Sequence, residues 1–318
     1  MTPTRGSTDH YLDSFRHVSC TTLRNLPSPT LKTAHWMGTG YKGDGCGLNP
    51  RTYTCRNDGY QLVRGSGCNQ RLCPDCWVRA AAVRAHRGAE KLVALRKLYG
   101  LPYGLRRMVL VLPIGEDPGD GPAGIPSWLR KRIKKVLKRI GVWAGVAVIH
   151  TIHIREEYRR EFNDEASRLN EEHPHGRRMN RYDILRKYVG GSGWNNRDQY
   201  QEHYLHFHIN FYGRADSDLL PEGWFMKVNP KQLHTERQIE NALFYQLSHA
   251  LAEPGTRAIF DFGWMNKIKI SREYPAADTI CCPICGQPLY DETGEEASYT
   301  RTIREYEIRR KKPPPVLS

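Results

Sequence analysis

The stretch Tyr204-Leu205-His206-Phe207-His208-Ile209-Asn210-Phe211-Tyr212 decides the reading of this chain. Its composition suits a β-strand, in which residues i and i+2 point to the same face. His206 and His208 then project side by side, while Phe207 is driven into the opposite layer. Two imidazoles placed that way converge on one ion. An arbitrary His-x-His is more often a pair of half-buried histidines without metal, so the surroundings must decide between the two.

Upstream, Arg107 to Pro113 is a short apolar run bounded by turn residues, and it reads as a buried strand. Ser127 can cap a helix in which Leu129, Ile133, Val136, Leu137 and Ile140 recur at helical spacing. A second strand covers Val146 to Ile154, and a charged stretch from Arg155 to Gln201 reads as an inserted or partly mobile excursion. Past the His-x-His strand come a short strand near Trp224 to Val228, a helix from Thr235 through Ala252, and two strands, Ala258 to Phe262 and Lys267 to Ile270, expected to complete the sheet. The order implies an α+β fold, a central antiparallel sheet with helices packed mainly on one face. The expected divisions are an N-terminal arm (1–45), a cysteine module with a basic helix (46–100), a catalytic domain (101–272, with 155–201 inserted), and a C-terminal knuckle with a basic tail (273–318).

The helix after that sheet contains Asn241-Ala242-Leu243-Phe244-Tyr245-Gln246-Leu247-Ser248-His249. Residues four apart lie on one helical face, so Tyr245 and His249 point together as a nucleophile and a third ligand. Read alone, Tyr245 is equally a core aromatic with its hydroxyl at the rim.

Together, His206-Phe207-His208 and the Tyr245 helix resemble the second and third motifs of the HUH endonuclease superfamily, and Met108 to Pro113 stands in the place of the first. That superfamily includes rolling-circle replication initiators, single-tyrosine transposases and conjugative relaxases. The resemblance covers roughly residues 105 to 272 and rests on the order of short motifs. It implies a divalent ion, Mn²⁺ or Mg²⁺, held by His206, His208 and His249, with Glu156 in reserve; Mn²⁺ tolerates imidazole better. It also implies that Tyr245 attacks a phosphodiester, keeps the 5′-phosphate and frees a 3′-hydroxyl. His249 matches members whose third ligand lies four residues after the tyrosine, whereas Ser248 departs from the lysine of many initiators.

Cys68-x4-Cys73-x2-Cys76, with Cys55 upstream, offers four thiolates for structural zinc. Cys282-Pro283-Ile284-Cys285 is a second knuckle, with Cys281 adjacent; lacking its own second pair, it either borrows Cys46 or binds through a partner. Cysteine-rich modules before such a nuclease resemble those of archaeal plasmid and virus initiators. Nine cysteines in a chain without an apolar leader are read as ligands rather than disulfides, and the protein is expected to be cytoplasmic, with no membrane partner.

A formal charge of +14 favours a polyanionic partner. Candidate phosphate contacts are Arg79, Arg84 and Arg87 on the helix after Cys76, and Lys134, Lys135 and Lys138 on the helix after Ser127. The expected function is a rolling-circle initiator that nicks single-stranded or hairpin origin DNA and rejoins strands. No Gly-x-x-x-x-Gly-Lys phosphate loop is present, so unwinding would fall to a host helicase and extension to a polymerase. A transposase or relaxase would share the same chemistry. A non-enzymatic zinc-containing DNA-binding regulator would share the charge and the cysteines but has no use for Tyr245 facing two histidines.

Overall fold

The computed structural model describes residues 46–308 except 66, 69–72, 74–75, 114–126, 175–177, 190–196 and 251–257. The N-terminal arm and the end of the basic tail lie outside the described residues. In chain order the elements are β1 (Arg51–Cys55), β2 (Gln61–Arg64), α1 (Trp77–Tyr99), β3 (Leu105–Val111), α2 (Ser127–Arg139), β4 (Val142–Ile154), α3 (Glu156–Glu172), α4 (Arg181–Val189), α5 (Arg197–Tyr200), β5 (Gln201–Gly213), β6 (Phe225–Leu233), α6 (Glu236–Leu247), β7 (Ile259–Gly263), β8 (Ile268–Thr279), β9 (Leu289–Tyr290) and β10 (Ser298–Ile308).

Five strands form one antiparallel sheet in the order β6-β3-β5-β4-β7, with the His-x-His strand β5 at its centre. The fold is therefore α+β with an antiparallel sheet. The pleat sorts side chains cleanly. Leu205, Phe207, Ile209 and Phe211 of β5 join Met108, Leu110, Ala147 and Ile149 in a dry layer under α2. Ala144, Val146, Val148 and Tyr212 enter a second core beneath α1 and α6. On α1, Ala81, Ala85 and Ala89 recur every four residues and are fully buried, small enough to let α6 lie close.

Four sequence expectations change. Helices cover both faces rather than mainly one, because β4 and β5 bury apolar side chains on both: Ala147, Ile149, Phe207 and Ile209 on one, Ala144, Val146, Val148 and Tyr212 on the other. Ile268 to Ile270 does not complete the sheet; it opens β8, which pairs along its length with β10 as a separate two-stranded ribbon. A boundary at 272 therefore falls inside a strand. The charged stretch after Arg155 is largely helical: α3 and α4 bury Phe162, Ala166, Tyr182, Ile184 and Leu185 between them. The buried pair Asp183–Arg186 on α4 (3.0 Å) places the Arg186 guanidinium 3.8 Å above the ring of Trp77, which locks this hairpin to the start of α1.

Among the described residues, no helix is long and apolar enough to cross a membrane.

Candidate active site and metal centres

His206 and His208 share the face of β5 that looks toward α6. Across the β4 ladder His150 lies directly opposite His206, just before a register shift in β4. Opposed residues of an antiparallel pair carry their side chains on the same face and close together. The rings of His150 lie 4.9 Å from His206 and 4.2 Å from His208, centroid to centroid. Ligand nitrogens of His150, His206 and His208 all fall within 4.8 Å of one another, so this trio could hold a metal ion.

The buried main-chain carbonyl of Gln246 accepts a hydrogen bond from His150 Nε2 at 2.8 Å, which leaves Nδ1 buried and without a protein partner. An orphaned ring nitrogen on an otherwise anchored imidazole is the arrangement a metal ligand needs. Burial holds His150 well below the usual histidine range and pushes His208 down to about 3, so both rings are neutral with a lone pair to donate. The donor chemistry therefore fits a divalent ion.

This trio differs from the expected ligand set in its third member. His249 is not one of the three grouped residues. Helix α6 ends at Leu247, two residues before it, and His249 turns inward to pack 4.0 Å from His150 and flat on Tyr182, also at 4.0 Å. Burial depresses its pKa as well. Glu156, the reserve, begins α3 as a largely exposed residue paired with Arg159 and belongs to no metal group.

Tyr245 differs from the histidines in being open to solvent, with 40 % of its surface exposed and its ring 4.9 Å from that of His249. Helix α6 begins with a capping box in which the Thr235 side chain accepts from Gln238 N and the Gln238 side chain returns the bond. Next to the tyrosine, Gln246 docks the helix on the sheet: its side-chain oxygen accepts from Asn210 Nδ2 at 2.6 Å, and its carbonyl holds His150. One glutamine thus sets the position of Tyr245 relative to the histidines.

Sequence reasoning missed His150 and Gln246. His150 stands at the even-numbered spacing of Val146 and Val148, which was visible, but its pairing with His206 depends on a ladder between distant strands. Arg107 was missed too. It sits on β3, paired with Asn210 and on the histidine side of the sheet. Its Nε is buried without a protein partner, and burial lowers its pKa.

The candidate phosphate contacts fall on two different sides. Arg79 and Arg87 are exposed and Arg84 half-buried on α1, over the histidine face. Lys134, Lys135 and Lys138 are exposed on α2, over the dry face.

The cysteines form two groups whose memberships differ from expectation. Cys46 rather than Cys55 completes the first, with Cys68, Cys73 and Cys76. Cys46 Sγ lies 3.4 Å from both Cys73 Sγ and Cys76 Sγ. The second group is Cys55, Asp58, Cys282 and Cys285; Cys281 is outside it, its thiol directed at the Thr279 carbonyl. The exchange has a topological cause. Cys55 ends β1, which pairs with β9, and that pairing carries it to the C-terminal knuckle. Both groups could hold a metal ion.

Compared with protein-family models, with curated proteins and with solved structures, the chain matches none of them.

Proposed function

We propose that the protein is a metal-dependent nicking enzyme for single-stranded DNA, with Tyr245 as nucleophile, and that it initiates rolling-circle replication. The observation that carries this reading is an exposed tyrosine packed on His249, which in turn packs on a trio of histidines whose ring nitrogens lie within 4.8 Å of one another. A regulator that only binds DNA gains nothing from gathering three histidines near one exposed tyrosine.

His150, His206 and His208 would hold Mn²⁺ or Mg²⁺, which supplies charge neutralisation and polarisation of the scissile phosphate when bound. The remaining steps belong to the chain. Tyr245 Oη loses its proton and attacks phosphorus; an O–P bond forms while the bond from phosphorus to the 3′-oxygen breaks. The departing 3′-oxygen takes up a proton and becomes a 3′-hydroxyl, and the 5′-phosphate stays on Tyr245. Rejoining reverses these bonds. Gln246 fixes the helix that carries Tyr245, and Arg107 offers a cation on the same sheet face for a phosphate oxygen. Cys46, Cys68, Cys73 and Cys76 would hold structural zinc, since four thiolates close a tetrahedral site and leave no position for substrate. An accessory helicase and a polymerase would be the protein partners.

The test uses a pool of single strands and hairpins of random sequence, with Mn²⁺ and a label on either end. The expected product is a denaturant-resistant adduct carrying the 3′-end label, with the 5′-labelled fragment released. An adduct that retains only the 5′ label, or no adduct at all, refutes the reading.

A further inference from the structure

Two turns far apart in sequence are copies of each other. Cys55-Arg56-Asn57-Asp58-Gly59 and Cys282-Pro283-Ile284-Cys285-Gly286 share the pattern Cys-x-x-ligand-Gly. Gly59 N donates to the Cys55 carbonyl at 3.0 Å, and Gly286 N donates to the Cys282 carbonyl at 2.9 Å. Cys55 N donates to the Tyr60 carbonyl at 2.8 Å, and Cys282 N donates to the Gln287 carbonyl at 2.7 Å. Both glycines take left-handed backbone, φ +72° and +75°, which closes each turn after its second ligand. In this match Asp58 stands where a knuckle carries its second cysteine.

The turns also face each other. Cys55 Sγ and Cys285 Sγ are 3.5 Å apart, Cys282 Sγ is 3.1 Å from Asp58 Oδ2, and all four donor atoms lie within 4.8 Å of one another. Around them Leu62, Ile280, Leu289 and Ala297 are buried as a small core, and β1 bridges β2 to β9. Arg56 spans the joint, stacking 3.8 Å over Tyr290 and donating to the Gly294 carbonyl at 3.1 Å.

We propose that Cys55, Asp58, Cys282 and Cys285 bind zinc, with the Asp58 carboxylate as the fourth ligand, and that this ion clasps two segments more than two hundred residues apart into one split ribbon. A carboxylate oxygen is a harder donor than a thiolate, so a three-sulfur, one-oxygen site releases zinc more readily than the four-cysteine site beside α1. The chain then carries one retained zinc and one exchangeable zinc, and loss of the second opens the junction between β1 and β9. A core of so few residues is too small to hold the turns together unaided. The proposal stands independently of DNA cleavage.

The experiment measures zinc content and its release to a colorimetric chelator in a His206→Ala/His208→Ala background, which removes the histidine site from the count. The expected result is one zinc per cysteine cluster, released in two phases. Asp58→Ala and Asp58→Asn lose the faster zinc or speed its release at least ~10-fold, the low end for disturbing a metal's ligand environment. Asp58→Cys keeps full zinc, slows that phase by a similar factor, and raises thiolate-to-cobalt absorption after cobalt substitution. That last variant must fold to give its result, so misfolding of the others does not decide the question. Absence of a second zinc from the background protein overturns the proposal. Unchanged zinc content and release in both Asp58→Ala and Asp58→Cys also overturns it.

Discussion

On β5, neighbouring residues do different work. Leu205, Phe207, Ile209 and Phe211 are buried in a layer of aliphatic and aromatic side chains beneath α2, where any residue of similar shape would serve. One position along, His206, Asn210 and Tyr212 are as deeply buried, yet each carries polar atoms that must be partnered. Asn210 meets Gln246, the Tyr212 hydroxyl donates to the Leu92 carbonyl at 3.1 Å, and the histidines meet one another. One face holds the sheet together by area, and the other by specific contacts that also shape a site. Substitutions should therefore separate stability from activity according to which face they touch.

The largest effect is expected just above the polar face. Tyr245→Phe removes only a hydroxyl from a residue with 40 % of its surface exposed, so folding and DNA binding should persist while adduct formation falls at least ~10³-fold. Cleavage by the variant at the normal rate, followed on labelled strands, would assign the nucleophile elsewhere. On the dry face Phe207→Ala should cost about 3–5 kcal/mol, read from denaturant midpoints. The Mn²⁺ requirement of whatever protein remains folded should not move. A large shift in that requirement would mean the two faces are not separable.

Within the polar face, His150→Ala should raise the Mn²⁺ concentration needed for half-maximal cleavage by about 10–100-fold, whereas His249→Ala should raise it less. Both rings are buried and contact each other at 4.0 Å, so lost packing is common to the pair and the difference isolates ligation. Equal shifts, measured by metal titration, would put His249 in the ligand set beside His150.

The same contrast explains what could be read in advance. Strand period places Phe207 and His206 on opposite faces from local order alone, and the capped helix around Tyr245 is likewise a local pattern. His150 required knowing that β4 lies beside β5 in a register that sets it against His206, and nothing within either strand states that. The cysteines failed for the same reason: grouping by proximity in sequence put Cys55 with Cys68, whereas pairing of β1 with β9 sends it to Cys285. The helices after Glu156 were obscured by their charge, because their apolar residues are few and serve a private core.

The smallest effect concerns how the two helices over the polar face are joined. His86 on α1 lies 3.5 Å from Glu240 on α6 and 3.5 Å from Glu90, one turn along its own helix; Arg304 of β10 also reaches Glu90, at 3.2 Å. Hydrogen bonding to Glu240, then to Glu90, raises the His86 pKa from 6.5 to about 10, against the opposing effect of burial. A folded-state pKa above the unfolded value means the protonated ring favours the folded state. That contribution is complete below pH 6.5, declines as pH rises, and is gone above about pH 10. The side chain is 31 % exposed, so solvent screening limits the effect to about 1 kcal/mol. Denaturant midpoints of the full chain should fall between those pH values, and His86→Gln should flatten that portion of the profile while lowering stability at pH 6. An unchanged profile in the variant would show that the α1–α6 joint rests on Ala81, Ala85, Leu243 and their apolar neighbours alone, and that charge on the polar face serves only the site.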